Sequence, residues 1–367
     1  LEEALRFDPD YADALALLAQ AHIYLYVTTD GRPEHRAKAQ PALDRALAID
    51  PHLPEARLAR GLYVLYVSED PVQALTDLEA VVQVRPNSAL AQEALAYALR
   101  RCGRAADALP HFVRASDLDP LNTLNSEELL DTLVGLRRFP EAIEQTKLWS
   151  KRFPDDVEVY LVRGRLEGYM QHSTEPLRAA LREHGRGLDP QDYKGVEAGI
   201  AVWEGRYLDA IRLRHEIPRP DNSWDVMNAG FWYWGAGDTH NAELTFRRAE
   251  KIMRAEVQRQ SADLGGLTRL ALIESMLNKH KEALATIDKA RALAPEAYDG
   301  RNGPPLSFTR SVILVRAGYG AEGYAEVKRL LRVPFGQPFE FVPYFQERLL
   351  IKDDPKYDEI LNHPPRL

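Results

Sequence analysis

Prolines punctuate this chain at nearly even intervals, and that regularity restricts its fold more than any other feature. Successive members of the set lie 42, 35, 34, 34, 36 and 105 residues apart: Pro9, Pro51, Pro86, Pro120, Pro154, Pro190 and Pro295. Most of them close a stretch with apolar residues at helical spacing, and proline cannot continue a helix. Because the longest interval is three times 35, we predict that it holds three units, of which only the last is closed by a member of this set, Pro295.

Small residues recur at fixed positions inside these units. Gly103, Ala108, Phe112 and Ala115 fall 17, 12, 8 and 5 residues before Pro120, and Gly237, Ala242, Phe246 and Ala249 keep the same mutual spacing. Two antiparallel helices approach closely only where small side chains lie at their crossing. A glycine between them supplies the left-handed conformation that ends the first helix. The pattern therefore predicts helical hairpins that stack on their neighbours, since no hairpin buries its apolar face alone.

These positions resemble the tetratricopeptide repeat (TPR) family, a helix-turn-helix repeat of about 34 residues. The best match is the stretch from residue 89 to 120, ALAQEALAYALRRCGRAADALPHFVRASDLDP. The resemblance implies an all-α, right-handed superhelical solenoid of about nine TPR hairpins with a C-terminal cap. We predict a truncated preceding helix over residues 1–10, the solenoid over 11–336, and a capping helix and tail over 337–367. The units are expected to end near residues 51, 86, 120, 154, 190, 222, 258, 295 and 336.

Two regions depart from the pattern. The second helix of the fifth unit lacks the alanine spacing, and the sixth unit ends early at Ile217–Pro218–Arg219–Pro220, so we predict a bend near residues 172–222. An insertion, EAYDGRNGPP, precedes the last unit. Long surface loops cost little stability, and we interpret this insertion as a longer surface loop without a specific structural role.

The charge balance narrows the classes of partner. A formal net charge of −8 disfavours binding to nucleic acid, which needs clustered lysine and arginine, and no apolar window is long enough to span a membrane. We expect no nucleic-acid partner and no membrane insertion by this fragment. RNA binding stays open as a third class, because pentatricopeptide repeats are also helical hairpins of about 35 residues, but the acidic balance argues against it.

One motif suggests chemistry. Gly318, Gly320 and Gly323 satisfy the dinucleotide-binding pattern GxGxxG, which must follow a strand, whereas the preceding LSFTRSVILVRA predicts a helix. The ten histidines form no metal pair at helical spacing, and Cys102 is the single cysteine. We expect no catalytic residue, metal or cofactor, and hence no enzyme.

The TPR resemblance implies that the first helix of each hairpin lines a concave groove for a protein or peptide. The matching positions, beside Tyr24 and Tyr66, are Tyr97, Arg100, Arg165, Tyr169, Trp203, Trp224, Met227, Asn228, Phe231, Trp234, Arg269 and Arg310. Aromatic side chains are common interface anchors, and the arginines are expected to take acidic groups of the ligand. The alternative, that these rings only fill the inside of a tight superhelix, stays open. The positions of the co-chaperone carboxylate clamp hold residues such as Asp13, Ala16, Leu58 and Glu93, so we expect no EEVD-type recognition.

The leading hypothesis is an interaction scaffold that acts as the docking or sensing part of a larger protein. The alternative is a receptor for a small molecule or short signalling peptide that regulates an attached output domain. The segment LLIKDDPKYDEIL is similar to the ends of TPR halves of multidomain bacterial signalling proteins. We expect a cytoplasmic location, or a periplasmic one if a preceding segment carries a signal or membrane anchor. The oligomeric state is not predicted.

Overall fold

The computed structural model describes residues 1–29, 32–216 and 222–335. These residues form nineteen α-helices and one short 3₁₀ helix, Gly185–Gly187, and no strand. The α-helices are α1 Glu2–Phe7, α2 Ala12–Thr28, α3 Pro33–Ile49, α4 Pro54–Tyr66, α5 Pro71–Val84, α6 Ala89–Arg101, α7 Ala105–Leu118, α8 Thr123–Gly135, α9 Phe139–Arg152, α10 Val157–Gln171, α11 Glu175–His184, α12 Pro190–Trp203, α13 Tyr207–His215, α14 Ser223–Gly235, α15 Thr239–Arg259, α16 Leu264–Met276, α17 His280–Leu293, α18 Gly303–Arg316 and α19 Gly320–Leu330.

Helices α2 to α19 follow one another as nine first-and-second-helix pairs, which confirms the predicted all-α hairpin fold for the described residues. Local sequence explains where helices begin. Pro54, Pro71 and Pro190 occupy the first position of their helices, where a missing amide hydrogen costs nothing. The side chains of Asp70 and Ser88 accept hydrogen bonds from backbone amides at the starts of α5 and α6.

Among the described residues, a left-handed residue marks the turn of eight hairpins, and the turn of the first hairpin includes residues outside the described ranges. The eight left-handed residues are Glu69, Gly103, Arg137, His172, Gly205, Gly237, Asn278 and Gly318, and successive members lie 34, 34, 35, 33, 32, 41 and 40 residues apart. The long proline interval therefore holds three hairpins, as predicted, but their spacing is uneven. Helix α15 has 21 residues where α7 has 14, and this extension lengthens one repeat.

Small residues lie where the two helices of a hairpin cross, as predicted. A Cβ atom on Gly61 of α4 would lie 2.6 Å from Cδ2 of Leu78 on α5, and one on Gly230 of α14 would lie 2.7 Å from Cε1 of Phe246 on α15. The alanines and Phe112 of α7 have no exposed surface at the predicted positions. The repeat spacing therefore encodes the contact between paired helices.

The chain divides into two compact units. The first unit comprises residues 1–132 together with 297–301, and the second comprises residues 133–296 together with the described residues from 302 onward. The boundary falls within α8, where the repeat pattern did not indicate one. The bend predicted near 172–222 stays a prediction; α11 and α13 there have only 10 and 9 residues, and Ile217–Pro220 lies outside the described residues. The predicted cap over residues 337–367 also lies outside them.

The GxGxxG motif lies in a helical hairpin. Gly318 forms the turn between α18 and α19, and Gly320 begins α19, so no strand precedes the motif in this described part of the chain. None of the helices described has both the length and the apolarity that a membrane span needs.

Candidate binding surfaces on the first helices

A buried arginine organises the first-helix surface of the first unit. The guanidinium of Arg100 on α6 donates hydrogen bonds to Asp131 Oδ2 at 3.1 Å and to Thr132 Oγ1 at 3.1 Å, and it also pairs with the Glu128 carboxylate. We call Arg100, Glu128, Asp131, Thr132 and Arg301 the Arg100 cluster. Arg100 is only 1 % exposed, and a buried charge must be paired within the protein. The prediction that Arg100 contacts ligand was therefore wrong.

Aromatic rings surround this arginine. Its Cζ atom lies 5.1 Å from the ring centre of Tyr97 and 5.0 Å from that of Phe112. The rings of Tyr66 and Tyr97 meet edge to face at 6.1 Å. Burial raises the pKa of both phenols above its usual value, and the Glu128 carboxylate raises that of Tyr97 further. Both hydroxyls therefore stay protonated at neutral pH.

A single carboxylate beside these tyrosines lacks compensation. Glu93 lies one helical turn before Tyr97 on α6 and is partly exposed. Burial raises the pKa of its carboxyl to about 7, and the negative charges of Glu128 and Asp119 add to the shift. Glu93 makes no hydrogen bond or ion pair with any residue that the structure describes. Glu93 is therefore a partly exposed carboxylate without a counter-charge among the described residues.

Residues 297–301, which we call the docked segment, pack against α6 and α8 within the first unit. The Gly300 amide donates to the carbonyl oxygen of Arg101 at 2.5 Å, and a Cβ atom on Gly300 would lie 2.3 Å from Cα of Gly103. Asp299 is 4 % exposed, and one of its oxygens lies 3.5 Å from Nη2 of Arg101. The interpretation of this insertion as a tolerated surface loop was therefore wrong.

Arg301 of the docked segment completes the Arg100 cluster. Its Nε and Nη2 atoms donate to Asp131 Oδ2 at 3.2 and 3.0 Å. Two guanidinium groups thus face the two carboxylates of Glu128 and Asp131. The cluster is neutral in formal charge, and it leaves Glu93 as an additional negative group.

The second unit presents a different first-helix surface. On α14, Trp224 is 49 % exposed, whereas Met227 and Phe231 have no exposed surface and belong to the core. The prediction that Met227 and Phe231 line the groove was therefore wrong. Phe231 meets Phe246 of α15 edge to face at 5.0 Å, so it joins the two helices of its hairpin.

The three arginines predicted to bind acidic groups already face carboxylates of the same unit. Arg165 pairs with Glu158, and an Arg269 nitrogen lies 3.6 Å from Asp263. Arg310 donates to Asp288 at 2.8 Å and to Glu322 at 3.1 Å. Their ability to bind an acidic ligand stays a prediction, because each would have to exchange an existing partner.

The remaining predicted positions are partly exposed. Tyr169 packs on Phe139 at 5.8 Å, the Trp203 ring covers Gly168, and Arg316 lies 5.2 Å from the ring centre of Trp234. Asn228 also lies at the surface of α14. The sequence alone predicted no role for Glu128, Asp131 or Arg301 of the Arg100 cluster, and it did not predict the uncompensated carboxylate of Glu93. No repeat spacing pointed to the cluster, because Arg301 comes from a segment 170 positions away from Asp131.

A fold of nine sequential hairpins with partly exposed first helices defines a TPR-like helical repeat protein. No family model and no curated protein matches the sequence. The solved structures to which the chain shows similarity include the following two. The chain shows 11 % identity and a TM-score of 0.39 to the Naa15/Naa10 structure bound to HypK-THB, over 91 % of this chain and 55 % of that one. It shows 17 % identity and a TM-score of 0.40 to the human IFIT1 dimer with PPP-AAAA, over 80 % of this chain and 67 % of that one. The chain thus spans about half the length of the first of these.

Proposed function

We propose that this chain is a non-catalytic scaffold that binds a protein or peptide on the first helices of its hairpins. The observation that carries the proposal is the arrangement of these helices: each buries one side against its second helix and leaves polar and aromatic groups on the other. Tyr66, Glu93 and Tyr97 do so in the first unit, and Trp224 and Trp234 in the second. Tyrosine and tryptophan bury large areas at low entropic cost, which suits them to anchor a partner.

A random peptide library displayed on phage tests the proposal directly. The immobilised chain should enrich peptides whose binding falls at least tenfold in Tyr66→Ala or Trp224→Ala. Tyr319→Ala is the control, because that tyrosine is also exposed, at 59 %, but lies at the turn before α19. Enriched peptides that bind both variants and the control equally would refute the proposed surface.

A cleft in the first hairpin favours a second candidate function, the binding of a small molecule. Residues of α1, α2 and α3 line about 480 Å³, with Leu5, Leu15 and Leu18 as apolar walls, and the two basic groups Lys38 and Arg45 outnumber the one acidic group, Glu2. This volume is within the range of ligand sites, and the basic groups suit an apolar molecule with an acid group. Thermal-shift screening of such acids against wild type and Leu15→Lys tests it, since binding should raise the melting temperature of wild type alone.

We also propose that the chain serves as the docking or sensing part of a larger, cytoplasmic bacterial signalling protein. The similarity of LLIKDDPKYDEIL to the ends of such proteins supports this context. The net charge of −8 favours a protein partner over nucleic acid. Filter binding of single-stranded RNA at low salt tests the last point, and RNA affinity in the micromolar range would contradict it.

A further inference from the structure

We infer that the first unit binds a lysine or arginine of an extended peptide at Glu93, beside the rings of Tyr66 and Tyr97. The inference rests on the proposed function and names the chemistry of the partner. Glu93 and Tyr97 are four residues apart on α6, so they share one face of the helix. Tyr66 of α4 lies against Tyr97 with 6.1 Å between ring centres.

The charge balance of this surface selects a cation. Arg100 and Arg301 compensate Glu128 and Asp131, while Glu93 has no cationic partner among the described residues. The tyrosine rings add to the attraction, because the face of an aromatic ring draws positive charge. Arg100 already shows this contact in the same place, with its guanidinium 5.1 Å from the Tyr97 ring centre.

The docked segment gives an independent indication of the occupant. It is a length of chain without helical structure that pairs its Gly300 amide with the backbone of α6 and places an arginine on Asp131. The same two helices therefore already hold one basic side chain delivered by such a segment. A peptide could bind in the same way, with a second basic side chain on the Glu93 carboxylate of α6 as Arg301 lies on the Asp131 carboxylate of α8.

The environment of Glu93 explains why a cation is favoured over water alone. Glu128 from α8 and Asp119 from the link between α7 and α8 act on its carboxyl, and both are negative. The charge of Glu93 in turn raises the pKa of Tyr66 and of Tyr97. Burial and the two neighbouring carboxylates keep the pKa of Glu93 at about 7. A bound ammonium or guanidinium group would stabilise the ionised form, so binding and ionisation are linked.

Phage display of random seven-residue peptides tests the inference, followed by fluorescence anisotropy of the enriched sequences. We expect lysine or arginine in peptides that bind the first unit, and at least tenfold weaker binding to Glu93→Gln, which keeps the shape of the side chain. Glu79→Gln on α5 is the matched control and should bind as wild type does. Wild-type affinity should rise from pH 6 to pH 8, and this rise should be absent in Glu93→Gln.

The outcomes separate this inference from the proposed function. Enriched peptides without a basic residue, or unchanged affinity in Glu93→Gln, would overturn the cation site and leave the scaffold standing. Enrichment of no peptide by the folded wild-type chain would overturn both. Far-ultraviolet circular dichroism of each variant confirms that the compared proteins are folded.

Discussion

The two units use the same hairpin to build chemically different first-helix surfaces. All five tryptophans lie between residues 149 and 234, in the second unit, whereas the first unit contains none. The first unit instead buries Arg100 among carboxylates and tyrosines, and the second buries Phe231 and leaves Trp224 half exposed. The repeat therefore fixes how helices pair, and the identity of the outer first-helix residues sets what each unit can bind.

The difference also decides what a substitution should do. In the second unit, stability depends on burying apolar area, and an exposed ring contributes little. In the first unit, part of the surface is a charge network whose members depend on one another. Tryptophan fluorescence follows unfolding of the second unit alone, so the two contributions are separable by experiment.

Phe231→Ala should have the largest effect, a loss of about 3–5 kcal/mol in unfolding free energy, because it leaves a cavity in a packed core. Trp224→Ala should cost less than about 1 kcal/mol, since half of that side chain is already exposed. Urea denaturation followed by the remaining tryptophans measures both. Equal losses would show that Trp224 is a core residue and remove it from the binding surface.

Arg100→Ala should destabilise the first unit by about 3 kcal/mol, because it leaves the carboxylates of Glu128 and Asp131 without their shared buried cation. Arg269→Ala is the counterpart in the second unit. Its guanidinium lies 5.9 Å from the Trp224 ring centre and is more exposed, so we expect less than about 1 kcal/mol. Hydrogen–deuterium exchange of α6, α8 and α16 measures each local effect. A small effect at Arg100 would refute the structural role assigned to the cluster.

Gly300→Ala should cost about 1–3 kcal/mol in the first unit, because the added methyl group would overlap the Gly103 backbone. Release of the docked segment should also speed tryptic cleavage after Arg301. Gly195→Ala on α12 is the control, where no atom lies within 4 Å of the new Cβ and a helix favours alanine by up to about 1 kcal/mol. Unchanged cleavage at Arg301 would show that the segment does not depend on the glycine contact.

Contacts between residues close in sequence could be predicted from the repeat, whereas contacts between residues far apart in sequence could not. Hairpin pairing depends on residues within one repeat, such as Gly61 and Leu78, and the sequence predicted it. The contact of Arg101 with Asp299 joins residues 198 positions apart, which no repeat spacing encodes. The run WDVMNAGFWYWG is apolar on both sides of α14, so periodicity did not show that Phe231 faces inward and Trp224 outward.

Folding stability should depend on pH through Glu93, which has no cationic partner among the described residues, in contrast to Glu128, which pairs with Arg100. The pKa of Glu93 is about 7 in the folded chain against an ordinary 4.5, so the folded state favours the protonated form. The resulting stabilisation is full below pH 4.5 and is lost as the pH rises through 7. Glu93→Gln should match wild type near pH 4 and exceed its stability by about 1 kcal/mol at pH 8, a value reduced by solvent screening. Thermal denaturation at the two pH values measures this, and a constant difference would contradict it.

The smallest predicted effect concerns what the two units share. Glu69 in the first unit and His172 in the second hold left-handed turns at φ of 57° and 51°, a conformation that costs a side chain about 1 kcal/mol relative to glycine. Glu69→Gly and His172→Gly should each stabilise their unit by up to about 0.5 kcal/mol, because the greater freedom of unfolded glycine offsets part of the relief. Chemical denaturation with hydrogen exchange in each unit measures both gains. Because the two turns have the same geometry while the surfaces differ, the two gains in stability should agree. Gains of opposite sign would show that contacts around each turn determine its stability.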